Sequence, residues 1–134
     1  MVKLTKEAKR IINDFGTSFI ATASKSGVPS VSTHGFFRVL DDKHVVFAEV
    51  ASPHTAANLK ENAKVTAIIY ERSTRRGCRI TGEAEIMENG KLFDDVSAQY
   101  AEKGINIRHV VKVGIEEAVT FQSGRFYFYK PDED

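Results

Sequence analysis

The chain has 134 residues, a length that fits one domain, and its 42% hydrophobic and 28% charged residues are those of an ordinary globule rather than a disordered or fibrous chain. Nineteen Lys and Arg face eighteen Asp and Glu, and the resulting formal net charge of +1 argues against partners held by bulk charge, nucleic acid and anionic membranes above all. The single cysteine, Cys78, excludes an internal disulfide and a multi-cysteine metal cluster and fits a reducing, cytoplasmic location.

Thr5 is placed to cap a first helix, with Ala8, Ile11, Ile12 and Phe15 as an apolar stripe and Gly16 as its end. This opening stretch has no apolar core of the kind a signal peptide carries. The period then changes. Ser18 to Ala23 reads as a strand, and Lys25-Ser26-Gly27 as a hairpin turn. Pro29 to Leu40 alternates as one long strand, with Val31, Thr33, Gly35, Phe37 and Val39 on one face and Ser30, Ser32, His34, Phe36 and Arg38 on the other. Asp41-Asp42-Lys43 is a turn, and His44 to Val50 a third strand.

Ser52-Pro53 marks the start of a helix running to about Asn62, because serine is a preferred N-cap and proline is tolerated at the first helical position. Lys64 to Arg72 is a strand, and Gly77 to Glu88 alternates with Cys78, Ile80, Gly82, Ala84 and Ile86 on its apolar face. Asn89-Gly90 breaks the pattern. Lys91 to Lys103 reads as a helix with Phe93, Val96 and Tyr100 on one stripe. Val110 to Ile115, Ala118 to Gln122 and Arg125 to Lys130 read as three closing strands. No repeat or linker interrupts the chain, so residues 1–134 are expected to form a single domain. About seven strands joined by tight turns, with helices that do not alternate regularly with them, predict a mainly β antiparallel barrel or sandwich with short helices over its openings. No segment approaches the roughly 18 apolar residues of a membrane span.

The stretch Ala51 to Asn58 carries the clearest chemistry. A helix opening at Pro53 presents first-turn amides and the positive end of its dipole, a ready phosphate site. The hydroxyls of Ser52 and Thr55 and the imidazole of His54 can add hydrogen bonds, although a plain capped helix has the same sequence. Ser32, Thr33 and His34 are three consecutive polar side chains in a strand, so at least one face must meet solvent, a ligand or a partner. His34, His44, His54 and His109 match no common metal-ligand spacing, and no metal is expected. Arg72, Arg75, Arg76 and Arg79 cluster across a hairpin, where they can hold a phosphate or simply offset Glu71 and Glu83. Phe126 to Tyr129 are read as core or interface aromatics.

The order of elements from about Lys6 to Phe128, the segment around Asn58, Leu59 and Asn62, and the Gly82-Glu83-Ala84 strand resemble the FMN-binding split barrels of the pyridoxamine 5′-phosphate oxidase-like superfamily. The resemblance implies an antiparallel split β-barrel that binds FMN as a flavoprotein. It places the FMN phosphate near Ser52, His54, Thr55 and Asn58. It places the ring and ribityl chain near Ser32, Thr33 and His34 on the second strand and Phe47, Ala48 and Glu49 on the third. It implies a homodimer with flavins at the subunit interface and oxidoreductase chemistry on a small-molecule substrate or electron donor, carried by the flavin, so no catalytic residue is assigned. Many members carry lysine where this chain has His54. Losing that charge-assisted contact costs on the order of 1.5 to 3 kcal/mol, unless an arginine of the 72–79 cluster compensates. The arginine-containing C-terminal segment of the authentic oxidases has no counterpart in the sequence, so pyridoxamine 5′-phosphate oxidation itself is not expected. The alternative is a split-barrel dimer that binds haem or a deazaflavin, or one that has no cofactor and a structural role.

Overall fold

The computed structural model describes residues 2–15, 18–34 and 37–122 and the backbone of 130 and 131. Its strands are β1 (Ser18–Ala23), β2 (Pro29–His34), β3 (Arg38–Asp41), β4 (His44–Glu49), β5 (Lys64–Glu71), β6 (Arg76–Met87), β7 (His109–Gln122) and β8 (Lys130–Pro131), and its helices are α1 (Lys6–Asp14), α2 (Pro53–Glu61) and α3 (Lys91–Ala101). Gly16, Gly35, Phe36 and Phe126 to Tyr129, to which the sequence reading gave places, lie outside the described residues.

Every strand pair is antiparallel, in the order β2-β1-β5-β6-β7-β4-β3, with β8 added on β7. The sheet therefore begins at β2 and ends at β3, two strands that are neighbours in sequence. The chain leaves one edge and starts the other between residues 34 and 38, which curls the sheet into a barrel with a split. This is why the single strand expected from Pro29 to Leu40 is two: its first half pairs with β1 and its second half with β4. The reverse happens at the C-terminal side. The two strands expected at Val110 to Ile115 and Ala118 to Gln122 are one, β7, because the register against β6 shifts between Thr81 and Gly82 and leaves Glu116 as an extra residue. That bulge absorbs the break in alternation that looked like a strand end.

The barrel interior is filled by alternate residues of the strands and by two helices. Ala8, Ile11 and Ile12 of α1 are fully buried there with Ile20, Val45, Phe47, Ile69, Ile80, Val111 and Ile115. The Thr5 hydroxyl caps α1 by accepting from the Ala8 amide at 3.1 Å. A helix of nine residues is marginal by itself, so α1 owes its stability to this buried stripe. α1 packs on β3, β5, β6 and β7, and α2 on β1, β2 and β6. A second cluster forms outside the barrel, where Val96 and Tyr100 of α3 cover Val46, Ala48 and Val110. β4 is thus buried on both faces, which accounts for its unbroken apolar run. At Gly82, β6 and β7 meet too closely for a side chain: a Cβ there would lie 2.2 Å from the Gly114 carbonyl oxygen.

Candidate functional site

The split is the place to look for a site, because β2 and β4 approach one another there without forming a ladder. The strand period sorts β2 into two faces. Ser32 and His34 face inward. Thr33, paired with Phe19 of β1, lies on the opposite, exposed face.

A chain of hydrogen-bonded groups crosses the split. The Thr55 Oγ1 of α2 and the Ser32 Oγ are 3.0 Å apart, Ser32 Oγ and His34 Nε2 are also 3.0 Å apart, and His34 Nδ1 lies 3.1 Å from the carbonyl oxygen of Ala48 on β4. His34 is buried, and its ring leans on that of Phe47 with centroids 4.8 Å apart. Phe47 in turn stacks on Phe37 in the core and contributes no polar group. Burial pushes the His34 imidazole below its ordinary pKa, against the pull of the Ala48 carbonyl and of Glu49.

Glu49 closes β4 and has no solvent contact at all. Its carboxylate accepts from the backbone N–H of Ser52 at 2.9 Å, from Arg108 at 2.7 Å and from His109 Nδ1 at 2.8 Å, while His109 Nε2 reaches Glu88 at 3.1 Å. Burial by itself raises such a carboxyl. The Ser52 amide, His109 and Arg108 outweigh it and hold Glu49 below the usual carboxylate range. Glu49 therefore anchors the entrance of α2 to the start of β7, and its charge is spent on that anchor. Among the described residues no three His, Cys, Asp or Glu side chains converge as metal ligands.

The opening turn of α2 differs from the simple picture of a row of free amides. The Ser52 N–H is taken by Glu49, Pro53 has none, and the Thr55 N–H turns back to the Ser52 carbonyl at 3.0 Å. The His54 N–H, at the second helical position, has no carbonyl one turn behind it. Among the described residues the Ser52 hydroxyl makes no hydrogen bond and does not cap the helix. The His54 side chain is exposed. An anion at this corner thus finds one hydroxyl, one amide and one imidazole, with the positive end of the α2 dipole behind them. Asn58 is buried one turn further on and donates to the Thr22 hydroxyl of β1 at 3.1 Å, which fixes α2 to the sheet.

The structure brings Ser32, His34, Phe47, the Ala48 carbonyl and Thr55 together at the split, with Ser52 and His54 at the adjoining helix start. Glu49 and Asn58 lie beside them and are engaged in holding α2, and Thr33 faces away. Arg76 and Arg79 are paired with Glu7 of α1 and Glu117 of β7. Arg108 and His109 entered no reading of this site from sequence. They stand 59 and 60 residues from Glu49, and only the β4–β7 register, which sets Glu49 opposite His109, brings them there.

The family model described as pyridoxamine 5′-phosphate oxidase matches residues 4–122 of this chain. An uncharacterised protein of Methanocaldococcus jannaschii is 32% identical over 130 residues, covering 92% of this chain and 85% of its own. Among solved structures, HupZ of Group A Streptococcus superimposes with a TM-score of 0.82 at 24% identity, covering 98% of this chain and 99% of its own. An FMN-binding protein of Syntrophomonas wolfei gives 0.76 at 18% identity, covering 90% and 87%. HutZ, the haem storage protein of Vibrio cholerae, gives 0.68 at 19% identity, covering 98% of each chain. At these identities the structural matches establish a shared split-barrel fold.

Proposed function

Since the chain belongs to the pyridoxamine 5′-phosphate oxidase family, we propose that it is an FMN-binding oxidoreductase whose flavin lies along the split between β2 and β4, with the phosphate at the start of α2. The observation that carries this reading is the Ser52 hydroxyl, unpartnered among the described residues at the N-terminus of the helix whose Thr55 hydroxyl bonds Ser32 across the split. A phosphate oxygen there accepts from Ser52 Oγ and from the His54 N–H, and the helix dipole favours its charge. The half-buried Ser32 hydroxyl, backed by the buried His34 and Phe47, gives a ligand a polar edge at the split. When bound, a flavin supplies hydride or electron transfer, and the protein supplies orientation and exclusion of water. Added FMN should lose fluorescence on binding, and Ser52→Ala should weaken that titration by roughly tenfold, the loss of one charge-assisted hydrogen bond. Affinity equal to that of the parent chain refutes the phosphate position.

The site is half of one in this reading. Thr33 and Val31 of the edge strand β2 and Phe19 of β1 form an outward face, with Phe19 43% and Val31 67% exposed, a large apolar exposure for two neighbouring strands. A second copy of the chain seated on this face gives the homodimer expected from sequence, with the partner reaching the split around the β2 edge. The competing reading, a haem or deazaflavin in the same split, draws on His54, an exposed imidazole where a phosphate site gains more from a fixed positive charge. The absorption spectrum of the purified protein separates them, since flavin, haem and deazaflavin bands differ. A colourless protein that leaves FMN fluorescence unchanged points to the structural alternative.

A further inference from the structure

The three-link chain across the split has a direction that follows from the chemistry of its ends. The Ala48 carbonyl can only accept, so at 3.1 Å it requires the proton on His34 Nδ1. Neutral imidazole then has a bare Nε2, which can only accept. At 3.0 Å its partner, the Ser32 hydroxyl, must donate to it. With its one proton committed there, Ser32 can only accept from Thr55, whose hydroxyl proton is spent in turn. Burial favours the neutral ring, and the charged group that acts on it among the described residues is Glu49, next to Ala48 on β4. Ser18 of β1 donates to the backbone carbonyl of His34, and Thr55 of α2 reaches the ring through Ser32.

We infer that the His34–Ser32–Thr55 relay is a specificity device: it turns both hydroxyl protons inward, so the split offers its ligand lone pairs alone and selects a donating N–H or O–H group there rather than a phosphate oxygen. Ser32, half-buried and the relay's open member, is the acceptor that the ligand meets. This rests on the flavin reading and refines it. Thr55, buried behind Ser32, leaves the phosphate end and supports Ser32, which takes the ribityl hydroxyls or the ring imide, while Ser52 and His54 keep the phosphate. His34 is a positioning residue, acting only through Ser32.

Two measurements test this. Nitrogen NMR of the imidazoles at neutral pH, with His34 assigned by its loss in His34→Gln, should show the Nδ1–H tautomer. An Nε2–H tautomer or an imidazolium overturns the relay, and no ligand is needed to see it. Titrations with FMN and with riboflavin, which lacks the phosphate, should then show Ser32→Ala weakening both by the same factor, roughly three- to tenfold for one hydrogen bond. A loss confined to FMN places a phosphate oxygen at the relay and overturns the specificity. A parent chain that binds neither flavin overturns the flavin reading and the ligand half of this inference, with the tautomer still deciding the relay.

Discussion

Glu49 and His34 are the two buried ionisable groups around which the site is arranged, and both have pKa values depressed by the fold. Glu49 cannot lose its charge without leaving Arg108, His109 and the Ser52 amide short of an acceptor. Glu49→Gln should cost about 2 to 3 kcal/mol in chemical denaturation. Arg108→Ala should cost less, because Arg108 is half exposed and water replaces its partner. A Glu49→Gln protein as stable as the parent denies the anchor. The depressed values also set a pH dependence. For each group the unfolded chain binds its proton more readily than the native one, so stability is complete above the unfolded pKa and falls on acidification. The His34 loss begins as pH drops below about 6.5, and the Glu49 loss below about 4.5. Denaturation midpoints should fall in those two stages, with the first abolished in His34→Gln. A first stage unchanged by that substitution shows that another group titrates there.

At the scale of elements, the sequence pattern and the pairing of strands have separate roles. The alternation of β6 and the stripe of α1 were legible because each has one buried face, and Ala8, Ile11, Ile12, Cys78, Ile80 and Gly82, which the pattern marks, are buried. β2 and β3 were not separable, since alternation continues through Leu40 and says nothing of which neighbour each half pairs with. β7 was cut in two because a bulge at Glu116 imitates a turn in a one-dimensional pattern. A close backbone approach, Gly82 against the Gly114 carbonyl, lies at this bulge. Gly82→Ala must push β6 from β7 and should cost about 1 to 3 kcal/mol, read as a lower melting temperature. A neutral substitution means the ladder gives way without penalty. In the same way, the anion corner at Ser52 was legible as a helix start. Which of its amides is open depended on Glu49, a residue of another element.

The whole molecule adds what no single element has, a closed barrel with one unpaired seam. The seam exists because β2 and β3 are consecutive in sequence yet lie at opposite ends of the strand order. No helix among the described residues is long and apolar enough to cross a membrane. The proposed dimer is decided at this scale. Phe19→Glu with Val31→Glu places two charges on the outward face of β1 and β2, away from the buried core. It should turn a dimer into a monomer by sedimentation and weaken FMN binding along with it. A double variant that remains dimeric moves the interface elsewhere.

The order of turns, the apolar stripes and the Ser52-Pro53 helix start belong to the sequence by itself, because each is dictated by neighbours within a few residues. They are enough to define a small antiparallel β fold, the resemblance that goes with it and a polar corner at α2. Tertiary structure decided which strands pair, that Glu49 serves Arg108 and His109, and that Ser32, His34 and Thr55 share one relay. Apart from the Ser32–His34 link, those contacts join residues 23 to 60 positions apart, and their energy exists only once the barrel has closed and water has left the split.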